Sequence, residues 1–339
     1  MAKTYKAVEV AAPGNLRIVE RPIPEPGEGQ VLIRVEACGV CHTDSLTVEG
    51  QFPGLGFPRV PGHEVAGRIE AVGSRVSQWH VGQRVGVGFF GCQDGHCEPC
   101  RRGDFINCQS LTISGISVDG GYAEVMIAEA NAVVSLPDSL NAVDAAPLLC
   151  AGVTTYNVLR NAPLRSGDLV AVQGIGGLGH LGIQFARRMG FRTVAIARGR
   201  EKEKLAKELG AFSYIDARTQ DPAATLQRMG GAKVILATAA SASSMGPLIA
   251  GLAPRGRLIV VGASPEPIQV DPAQLIFGAR SLEGSLTGTA IDIEDTLAFS
   301  GRENVRPMIE TVPLERAADA YARMMRGEAR FRIVLTIPQ

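Results

Sequence analysis

The spacing of apolar residues changes near residue 152, and the two parts of the chain predict different kinds of element. In the first part, short runs such as QVLIRVEA, AGRIEAVG and AEVMIAEANAVVSL alternate apolar with polar residues, and turn signals such as EPGEG and VDGG separate them. Alternation with a period of two, interrupted by Gly and Pro, is typical of short, half-buried strands. The first 150 residues therefore predict a β-rich unit.

From Val153 onward, runs of strand length alternate with stretches of helical length. DLVAVQG, RTVAIA, FSYIDA, KVILATA and RLIVVGA have the character of buried strands, and HLGIQFARRMG and EKEKLAKELG lie between them with a helical pattern. This alternation predicts a parallel sheet covered by helices on both faces. The end of the chain adds a helical segment, LERAADAYARMMRG, and a final strand, RFRIVLTI.

Composition and charge exclude several classes of function. The 339 residues are 45% hydrophobic, enough for about two domains with separate cores, and 34 basic side chains balance 34 acidic ones. A net charge of zero gives no electrostatic case for binding nucleic acid or an anionic membrane. The N-terminus lacks the apolar segment of a signal peptide, and no run reaches the ~18–20 apolar residues of a membrane span. We therefore expect a cytoplasmic protein without either partner.

All seven cysteines lie in the first 150 residues, which favours metal ligation over a disulfide framework. In GCQDGHCEPCRRGDFINC, the spacing C-x2-C-x7-C of Cys97, Cys100 and Cys108 resembles three corners of a zinc site. A closed zinc site needs four ligands. Cys92, Asp94 and the adjacent His96 are the candidates for the fourth.

A glycine-rich turn follows the first strand of the second part. LVAVQGIGGLGHLGIQFARRMG contains G-x-G-x-x-G with Gly174, Gly176 and Gly179, which enclose Gly177 and Leu178. In a dinucleotide-binding turn the first glycine makes the tight turn, the second admits the pyrophosphate, and the third allows the helix to pack closely. The helix N-terminus then supplies N–H groups for the phosphates. Because the strand and the βαβ pattern surround the motif, it predicts a nicotinamide dinucleotide site.

The residues after the second strand of this unit bear on the choice between NAD and NADP. In TVAIARGREKEK the strand closes at Ala197, where an acid would bond the ribose 2′-hydroxyl of NAD, and Arg198 and Arg200 follow. No carboxylate stands there to repel a 2′-phosphate, and either arginine can grip one. The alternative is that both are solvated residues at a helix start. The pattern favours NADP without excluding NAD.

Three further segments each offer a soft metal ligand. EACGVCHTDS contains Cys41, VPGHEVAG contains His63, and LLCAGVTTY contains Cys150. Together with the glycine motif and in this order, they make the chain similar, nearly end to end, to the zinc-dependent medium-chain alcohol dehydrogenases. The resemblance implies a GroES-like, β-rich catalytic domain over residues 1–151 and 286–339. It also implies a Rossmann domain, with a doubly wound parallel sheet, over residues 152–285.

The resemblance implies roles for the residues around the catalytic zinc. Cys41, His63 and Cys150 would hold the ion with its fourth position open, as expected of a catalytic site. Zinc is a Lewis acid that eases the deprotonation of an alcohol, whose hydride then passes to the nicotinamide. Thr43 matches the hydroxyl that takes the alcohol proton. Asp44 matches the carboxylate that orients the ligand histidine, and Glu64 matches an acid near the metal.

The resemblance also implies that three further residues contact the cofactor. His42 and Arg332 match residues on the pyrophosphate, and Thr154 matches a residue beside the nicotinamide. For Arg332 the alternative is an outward charge on the final strand. One position departs from the family: Leu46 stands where many members carry a histidine that ends the proton relay at solvent. We therefore predict no strong contribution from a relay histidine.

The substrate pocket is implied to be apolar, because Phe52 and Phe89 match pocket-lining positions. Two aromatic groups favour small aliphatic or aromatic primary alcohols and aldehydes, with modest discrimination among them. The neighbouring alternatives are a polyol dehydrogenase and an NADP-dependent aldehyde reductase. A zinc-free quinone or enone reductase would lack Cys41, His63 and Cys150, all of which are present. A nucleotide-binding sensor without turnover is a more distant alternative.

The cysteine-rich segment matches the family's structural zinc lobe, in which four ligands are spaced x2, x2 and x7. Counting back from Cys97 reaches Asp94, where the family usually has cysteine. A carboxylate can ligate zinc, but a thiolate suits it better, so Cys92 stays an alternative if the loop rearranges. We expect two zinc ions per chain and, by resemblance, a homo-oligomer, most simply a tetramer.

Overall fold

The computed structural model describes residues 3–338 and divides into two compact units. The first unit contains the chain up to Val153 and from Thr287 onward, and the second contains Thr154–Leu286. Among the described residues, no single helix is long and apolar enough to cross a membrane, although the bent pair Ala142–Leu149 and Ala151–Asn161 meets those criteria when taken together.

The first unit is built mainly of antiparallel strands. They are β1 Thr4–Val10, β2 Leu16–Pro22, β3 Gln30–Val40, β4 Val65–Val72, β5 Arg84–Val87, β6 Phe90–Cys92, β7 Thr112–Ile113, β8 Val125–Glu129, β9 Val133–Ser135, β16 Ile309–Pro313 and β17 Arg332–Thr336. Seven of them form one sheet in the order β16-β17-β3-β4-β5-β9, with β8 also paired to β3. The segment AEVMIAEANAVVSL, which looks like one strand, is divided between β8 and β9.

β3 is the central strand of this sheet, and it is long enough to pair with two different strands along one edge. β8 pairs with Gln30–Arg34, β17 pairs with Ala37–Val40, and β4 runs along the other edge. The inward side chains of β3 at Val31, Ile33 and Val35 are fully buried in the apolar core. The carboxyl end of β3 therefore meets the first residues of β4 and β17.

The second unit contains a six-stranded parallel sheet. Its strands are β10 Leu169–Gln173, β11 Arg192–Ala197, β12 Ser213–Asp216, β13 Ala232–Ala237, β14 Leu252–Val260 and β15 Ser281–Gly284. Their order is β12-β11-β10-β13-β14-β15, so the strand order reverses between β10 and β13. This is the Rossmann order, in which ligands bind at the carboxyl ends of the strands beside the reversal. The predicted fold class is confirmed.

Helices connect these strands and cover the sheets. They are α1 Ser45–Val48, α2 Glu98–Arg101, α3 Ala142–Ala145, α4 Ala151–Asn161, α5 Gly179–Arg188, α6 Glu203–Glu208, α7 Pro222–Arg228, α8 Ala242–Met245, α9 Pro272–Ile276, α10 Ala290–Glu303 and α11 Ala317–Met325. The segment LERAADAYARMMRG begins with a 3₁₀ turn at Leu314–Arg316 before α11. α5 is buried around most of its circumference, and Leu181, Ile183 and Phe185 are fully buried.

Candidate active site and metal centres

Cys41 is held by a tight turn directly after β3. The residue is extended, and a 3₁₀ turn over His42–Asp44 follows it. The Asp44 carboxylate folds back and accepts the backbone N–H of Cys41 at 2.8 Å, while the Asp44 N–H donates to the Cys41 carbonyl at 3.0 Å. The Cys-x-x-Asp spacing therefore fixes the thiol at the end of the central strand.

His63 lies in the approach to β4, where Gly62 makes the close packing possible. Gly62 has φ +103°, and a Cβ there would lie 2.5 Å from the ring of Tyr122 and 2.8 Å from the Cys38 sulfur. Only glycine meets both demands. The His63 Nδ1 atom lies 3.0 Å from the Asp44 Oδ1 atom, and both side chains are buried.

Four side chains of the first unit bring ligand atoms together. One atom each from Cys41, His63, Glu64 and Cys150 lies within 4.8 Å of the other three. The His63 Nε2 atom is buried and has no hydrogen-bond partner among the described residues. An orphaned imidazole nitrogen beside two thiols is the donor set of a catalytic zinc site, so these residues fit that ion.

The thiols of this group differ in acidity. A hydrogen bond from Cys150 holds the pKa of Cys41 well below its usual range, despite burial, and the charge of His63 acts in the same direction. The same contact with Cys41, together with burial, raises the pKa of Cys150. A bound divalent cation would favour the thiolate form of both cysteines.

Glu64 is the fourth member of the group and carries an ion pair with Arg332. Glu64 is fully buried, Arg332 is 5% exposed, and the guanidinium donates to the Glu64 Oε1 atom. The register of β17 on β3 sets Ile333 opposite Val40, which brings Arg332 beside the end of β3. Burial raises the pKa of Glu64 to about 7, against the opposing charge of Arg332. The burial of Arg332 excludes an outward charge on the final strand.

An apolar cluster lies against the His63 ring. Phe89 is 8% exposed, and its ring meets that of His63 edge-on at a centroid distance of 5.7 Å. Phe52 and Leu46 are partly buried in the same cluster as Phe89. The two aromatic positions predicted for the pocket are thus brought together, and Phe89 touches the candidate metal ligand.

The cysteine-rich segment forms a second group of ligand atoms. Asp94, Cys97, Cys100 and Cys108 each place one atom within 4.8 Å of the others, and within the described residues Cys92 is not part of that group. The Cys97 and Cys108 sulfurs are 3.8 Å apart, close to the roughly 3.8 Å expected across a tetrahedron with Zn–S bonds of about 2.3 Å. Burial and the neighbouring thiols raise the pKa of Cys100 to about 12. These groups fit a closed metal site.

The loop conformation explains why Asp94 occupies the fourth corner. Its Oδ1 atom accepts the backbone N–H groups of His96 and Cys97, both at 2.9 Å, and its own N–H points at the Cys108 sulfur at 3.3 Å. The N–H groups of Cys97 and His96 hold the pKa of this carboxyl well below its usual range. His96 is exposed. The Cys92 thiol lies instead toward the Gln93 carbonyl, at 3.4 Å.

The glycine motif of the second unit spans the turn from β10 to α5. Gly174 has φ +91°, and a Cβ on Gly179 would lie 1.8 Å from the Gly174 carbonyl oxygen. A Cβ on Gly176 would meet no atom within 4 Å, so the backbone there is open to a ligand. Leu178 precedes the first residue of α5. The turn has the spacing and the open backbone that a pyrophosphate requires.

The loop after β11 carries charges of both signs. Arg198 and Arg200 are exposed, and Gly199 between them donates its N–H to the buried Asp216 carboxylate at 2.7 Å. Arg218 approaches Gly199 from the end of β12 and lies 3.7 Å from Glu201. Glu201 is exposed and folds back over Gly199. Three arginines therefore lie near Gly199 together with two carboxylates, Glu201 and the buried Asp216.

Three further residues have predicted roles: His42 and Thr154 at the cofactor, and Thr43 as the acceptor of the alcohol proton. In the first unit His42 is exposed in the turn after Cys41, and Thr43 beside it is half-buried. In the second unit Thr154 lies on α4 and is 7% exposed. The contacts of these three side chains within the described residues assign them no role, and their roles stay predictions.

Comparisons with known proteins agree with this geometry. Residues 27–138 match the family described as alcohol dehydrogenase GroES-like domain, and residues 177–302 match the family described as zinc-binding dehydrogenase. The chain is 42% identical to alcohol dehydrogenase notN of Aspergillus sp. (strain MF297-2), over 99% of each sequence. It is 38% identical to an alcohol dehydrogenase of Geobacillus stearothermophilus, over 95% of this chain and 96% of that protein.

Solved structures of alcohol dehydrogenases are also similar to this chain. A cinnamyl alcohol dehydrogenase from Sorghum bicolor superposes with a TM-score of 0.89 at 31% identity, covering 98% of each chain. The structure of CAD from Helicobacter pylori, complexed with NADP(H), superposes with a TM-score of 0.88 at 27% identity, covering 99% of each chain. The chain therefore belongs to the medium-chain dehydrogenase/reductase family, among its alcohol dehydrogenases. It is an oxidoreductase.

Sequence reasoning missed several residues of these sites. The Tyr122 hydroxyl donates to Asp44 at 2.9 Å, Gly39 leaves room for the Glu64 side chain, and Glu201 and Arg218 flank the loop after β11. For Arg218 a signal existed, because the carboxyl ends of adjacent parallel strands lie at the same edge of a sheet. For Tyr122 and Gly39 the sequence carries no such periodicity.

Proposed function

We propose that this protein is a zinc-dependent alcohol dehydrogenase that interconverts a primary alcohol and its aldehyde with a nicotinamide dinucleotide. The observation that supports this best is the buried group of Cys41, His63 and Cys150, with an unpartnered His63 Nε2 atom. A zinc ion bound there supplies a Lewis acid for the alcohol or carbonyl oxygen. Because the ion pair with Arg332 already engages Glu64, we assign the fourth position to substrate or water.

The test combines metal analysis with initial rates. We expect Cys150→Ser to lose one metal per chain and nearly all turnover of short aliphatic and aromatic alcohols. Cys38→Ala is the matched control, because Cys38 is buried in the same unit but lies outside the ligand group. A wild-type protein with no bound metal and no turnover would contradict the proposal.

We assign the substrate pocket to the wall formed by Phe52 and Phe89. An aromatic wall favours small or flat alcohols over polyols, and each added methylene changes the transition-state energy by only about 1–3 kcal/mol. Phe89→Ala and Phe52→Ala should each shift the optimum of the alcohol chain-length profile toward longer chains. Unchanged profiles in both variants would remove these residues from the pocket, and faster turnover of sorbitol than of ethanol or benzyl alcohol would favour a polyol dehydrogenase.

For the proton of the alcohol we propose the Thr43 hydroxyl as the first acceptor. As the hydroxyl takes this proton it releases its own, which leaves through the cofactor ribose and water. Leu46 packs with Phe52 and Phe89 and has no titrating group, so a histidine relay cannot end at that position. The pH profile of hydride transfer in His42→Ala should therefore match that of the wild type, because His42 is assigned to the cofactor. A variant that loses proton transfer but keeps its affinity for the cofactor would refute this assignment.

For the cofactor we propose a preference for NADP(H). Support comes from Arg198, Arg200 and Arg218 around Gly199, since guanidinium groups bind phosphates bidentately. Glu201 opposes them, because an acid in this loop repels a 2′-phosphate and can accept a ribose hydroxyl. The preference thus depends on whether the three arginines outweigh Glu201 and the buried Asp216 carboxylate.

Two variants test this balance in opposite directions. Arg218→Gln should weaken NADP⁺ binding and leave NAD⁺ binding little changed, whereas Glu201→Gln should strengthen NADP⁺ binding. The readout is the dissociation constant of each dinucleotide from fluorescence titration, together with kcat/KM. A wild type that binds NAD⁺ more tightly, with neither variant altering the ratio, would assign the enzyme to NAD.

A further inference from the structure

We propose that Tyr122 is a positioning residue for the catalytic metal site, acting on His63 through the Asp44 carboxylate. The Tyr122 hydroxyl donates to the Asp44 Oδ2 atom at 2.9 Å, and the Cys41 N–H donates to the same oxygen at 2.8 Å. The other carboxylate oxygen lies 3.0 Å from the His63 Nδ1 atom. One buried carboxylate thus joins the tyrosine to two candidate ligands. The proposal rests on the function proposed above for that site.

The position of the tyrosine ring is fixed by the backbone around it. Tyr122 is fully buried, its N–H donates to the Pro61 carbonyl at 3.0 Å, and its carbonyl accepts the Val8 N–H at 2.8 Å. The ring also packs on Gly62, where a Cβ would come within 2.5 Å of it. Tyr122 is therefore tied to the two residues that directly precede His63. The hydroxyl has little freedom to leave Asp44.

The hydroxyl matters because it sets the orientation of the carboxylate. A metal-bound histidine is oriented by the acceptor on its other ring nitrogen, and loss of that acceptor typically costs 10–100-fold in metal affinity. Of the two donors to the Asp44 Oδ2 atom, the Tyr122 hydroxyl and the Cys41 N–H, only the Cys41 N–H would remain without the hydroxyl. The carboxylate could then rotate away from His63. Burial and the Asp44 charge raise the pKa of Tyr122, so the hydroxyl stays a donor.

If Tyr122 had a purely structural role, loss of its hydroxyl would affect folding but not specifically metal binding. A matched control variant separates the structural role from the positioning role. Tyr321 is also buried, and its hydroxyl donates to the Glu49 carboxylate at 2.9 Å, outside both ligand groups. Tyr122→Phe and Tyr321→Phe each remove one hydroxyl that donates to a carboxylate and keep the ring. Their effects on folding should be similar, and their effects on the catalytic metal should differ.

The experiment measures metal affinity in the whole enzyme. We expect Tyr122→Phe to raise the zinc dissociation constant of the catalytic site about tenfold in chelator competition, and to change the visible spectrum of the cobalt-substituted enzyme. Tyr321→Phe should leave both unchanged, and zinc at the cysteine-rich site should be held equally in all three proteins. In an Asp44→Asn background, Tyr122→Phe should add no further loss.

Three results would overturn the inference. The first is zinc affinity within twofold of the wild type in Tyr122→Phe. The second is an effect that persists in full in the Asp44→Asn background, since Tyr122 would then act by another route. The third is a metal-free Tyr122→Phe protein whose melting temperature falls far below that of Tyr321→Phe. A wild type that binds no metal at Cys41, His63 and Cys150 would instead defeat the proposed function itself.

Discussion

Gly39 leaves the space that the Glu64 side chain occupies beside the metal ligands. A Cβ at this position would lie 1.8 Å from the Glu64 Oε2 atom. Gly39→Ala must therefore displace the carboxylate from Arg332, and a broken buried ion pair costs about 3–5 kcal/mol. We expect the free energy of unfolding in urea to fall by that amount.

Gly56→Ala is the control for that measurement. A Cβ at Gly56 would meet no atom within 4 Å, so its substitution should leave the free energy of unfolding nearly unchanged. Similar stabilities for the two variants would mean that Glu64 finds another position at little cost.

Asp94 is the residue on which we expect metal binding at the cysteine-rich site to depend. Asp94→Asn keeps an acceptor for the two backbone N–H groups but removes the charge, so we expect it to lower the zinc content from two to one per chain. Asp94→Cys should tighten binding, because zinc prefers thiolate. Elemental analysis measures the zinc content per chain of both variants. Alcohol oxidation checks that the site of Cys41, His63 and Cys150 is unaffected.

Cys92→Ser is the matched control at that site, because its thiol lies outside the group of ligand atoms. It should keep both metals. If Cys92→Ser loses a metal and Asp94→Asn does not, the loop rearranges on metal binding and Cys92 is the ligand.

At the scale of single elements, the β1–β2 ribbon contains a buried acid whose charge depends on two arginines. Glu9 is 4% exposed on β1 and accepts hydrogen bonds from Arg17 and Arg21. Burial alone would raise its pKa, but the hydrogen bonds and charges of both arginines outweigh burial and hold the pKa below its usual value. A lowered pKa in the folded state means that the ionised form stabilises the fold.

The lowered pKa of Glu9 means that its contribution to the stability of the fold decreases as the pH falls. The contribution of Glu9 is present above the unfolded pKa and is lost as the pH falls through the folded pKa. Glu9→Gln should therefore be destabilised relative to the wild type at pH 7, and the difference should shrink as the pH falls below the ordinary glutamate pKa of about 4.3. Urea unfolding across this range measures it. Glu20→Gln, at an exposed site on β2, should show almost no such dependence.

The elements that could be predicted from sequence are those defined by local period and spacing. Strands β10 to β14 and helix α5 follow from apolar runs and the glycine motif, because a parallel sheet buries whole strands and needs glycine at the turn. The ligand spacing of the resembling family likewise points to Asp94, while the sequence leaves Cys92 as the alternative. These features depend on residues close together in the chain.

The rest of the site depends on contacts between distant residues. Arg332 and Glu64 are separated by 268 positions, and Tyr122 and Asp44 by 78. Their contacts arise where the ends of β3, β4 and β17 converge, which requires the register of the whole sheet. One hydroxyl or one missing Cβ leaves no periodic trace in the sequence, so Tyr122 and Gly39 were not predictable.

At the scale of the whole molecule, the second unit has an open strand edge and, shortly before it in the chain, two exposed apolar side chains. β15 is the last strand of the six-stranded sheet, and in the described residues it pairs with β14 alone. Just before it, Ile276 is 73% exposed and Phe277 is 90% exposed. Open strand edges and exposed apolar groups pair with other chains unless they are protected. We propose that this edge joins copies of the chain.

Light scattering coupled to size-exclusion chromatography tests this association. Phe277→Asp should lower the subunit count, because a charge at the centre of an apolar contact is left desolvated and unpaired. Phe212→Asp is the control at the opposite edge of the same sheet, where Phe212 is 63% exposed and Arg192 covers its ring. If both variants keep the wild-type mass, the β15 edge is not the interface. If the wild type is a monomer, the expected tetramer is wrong, and the exposed phenylalanine has another partner.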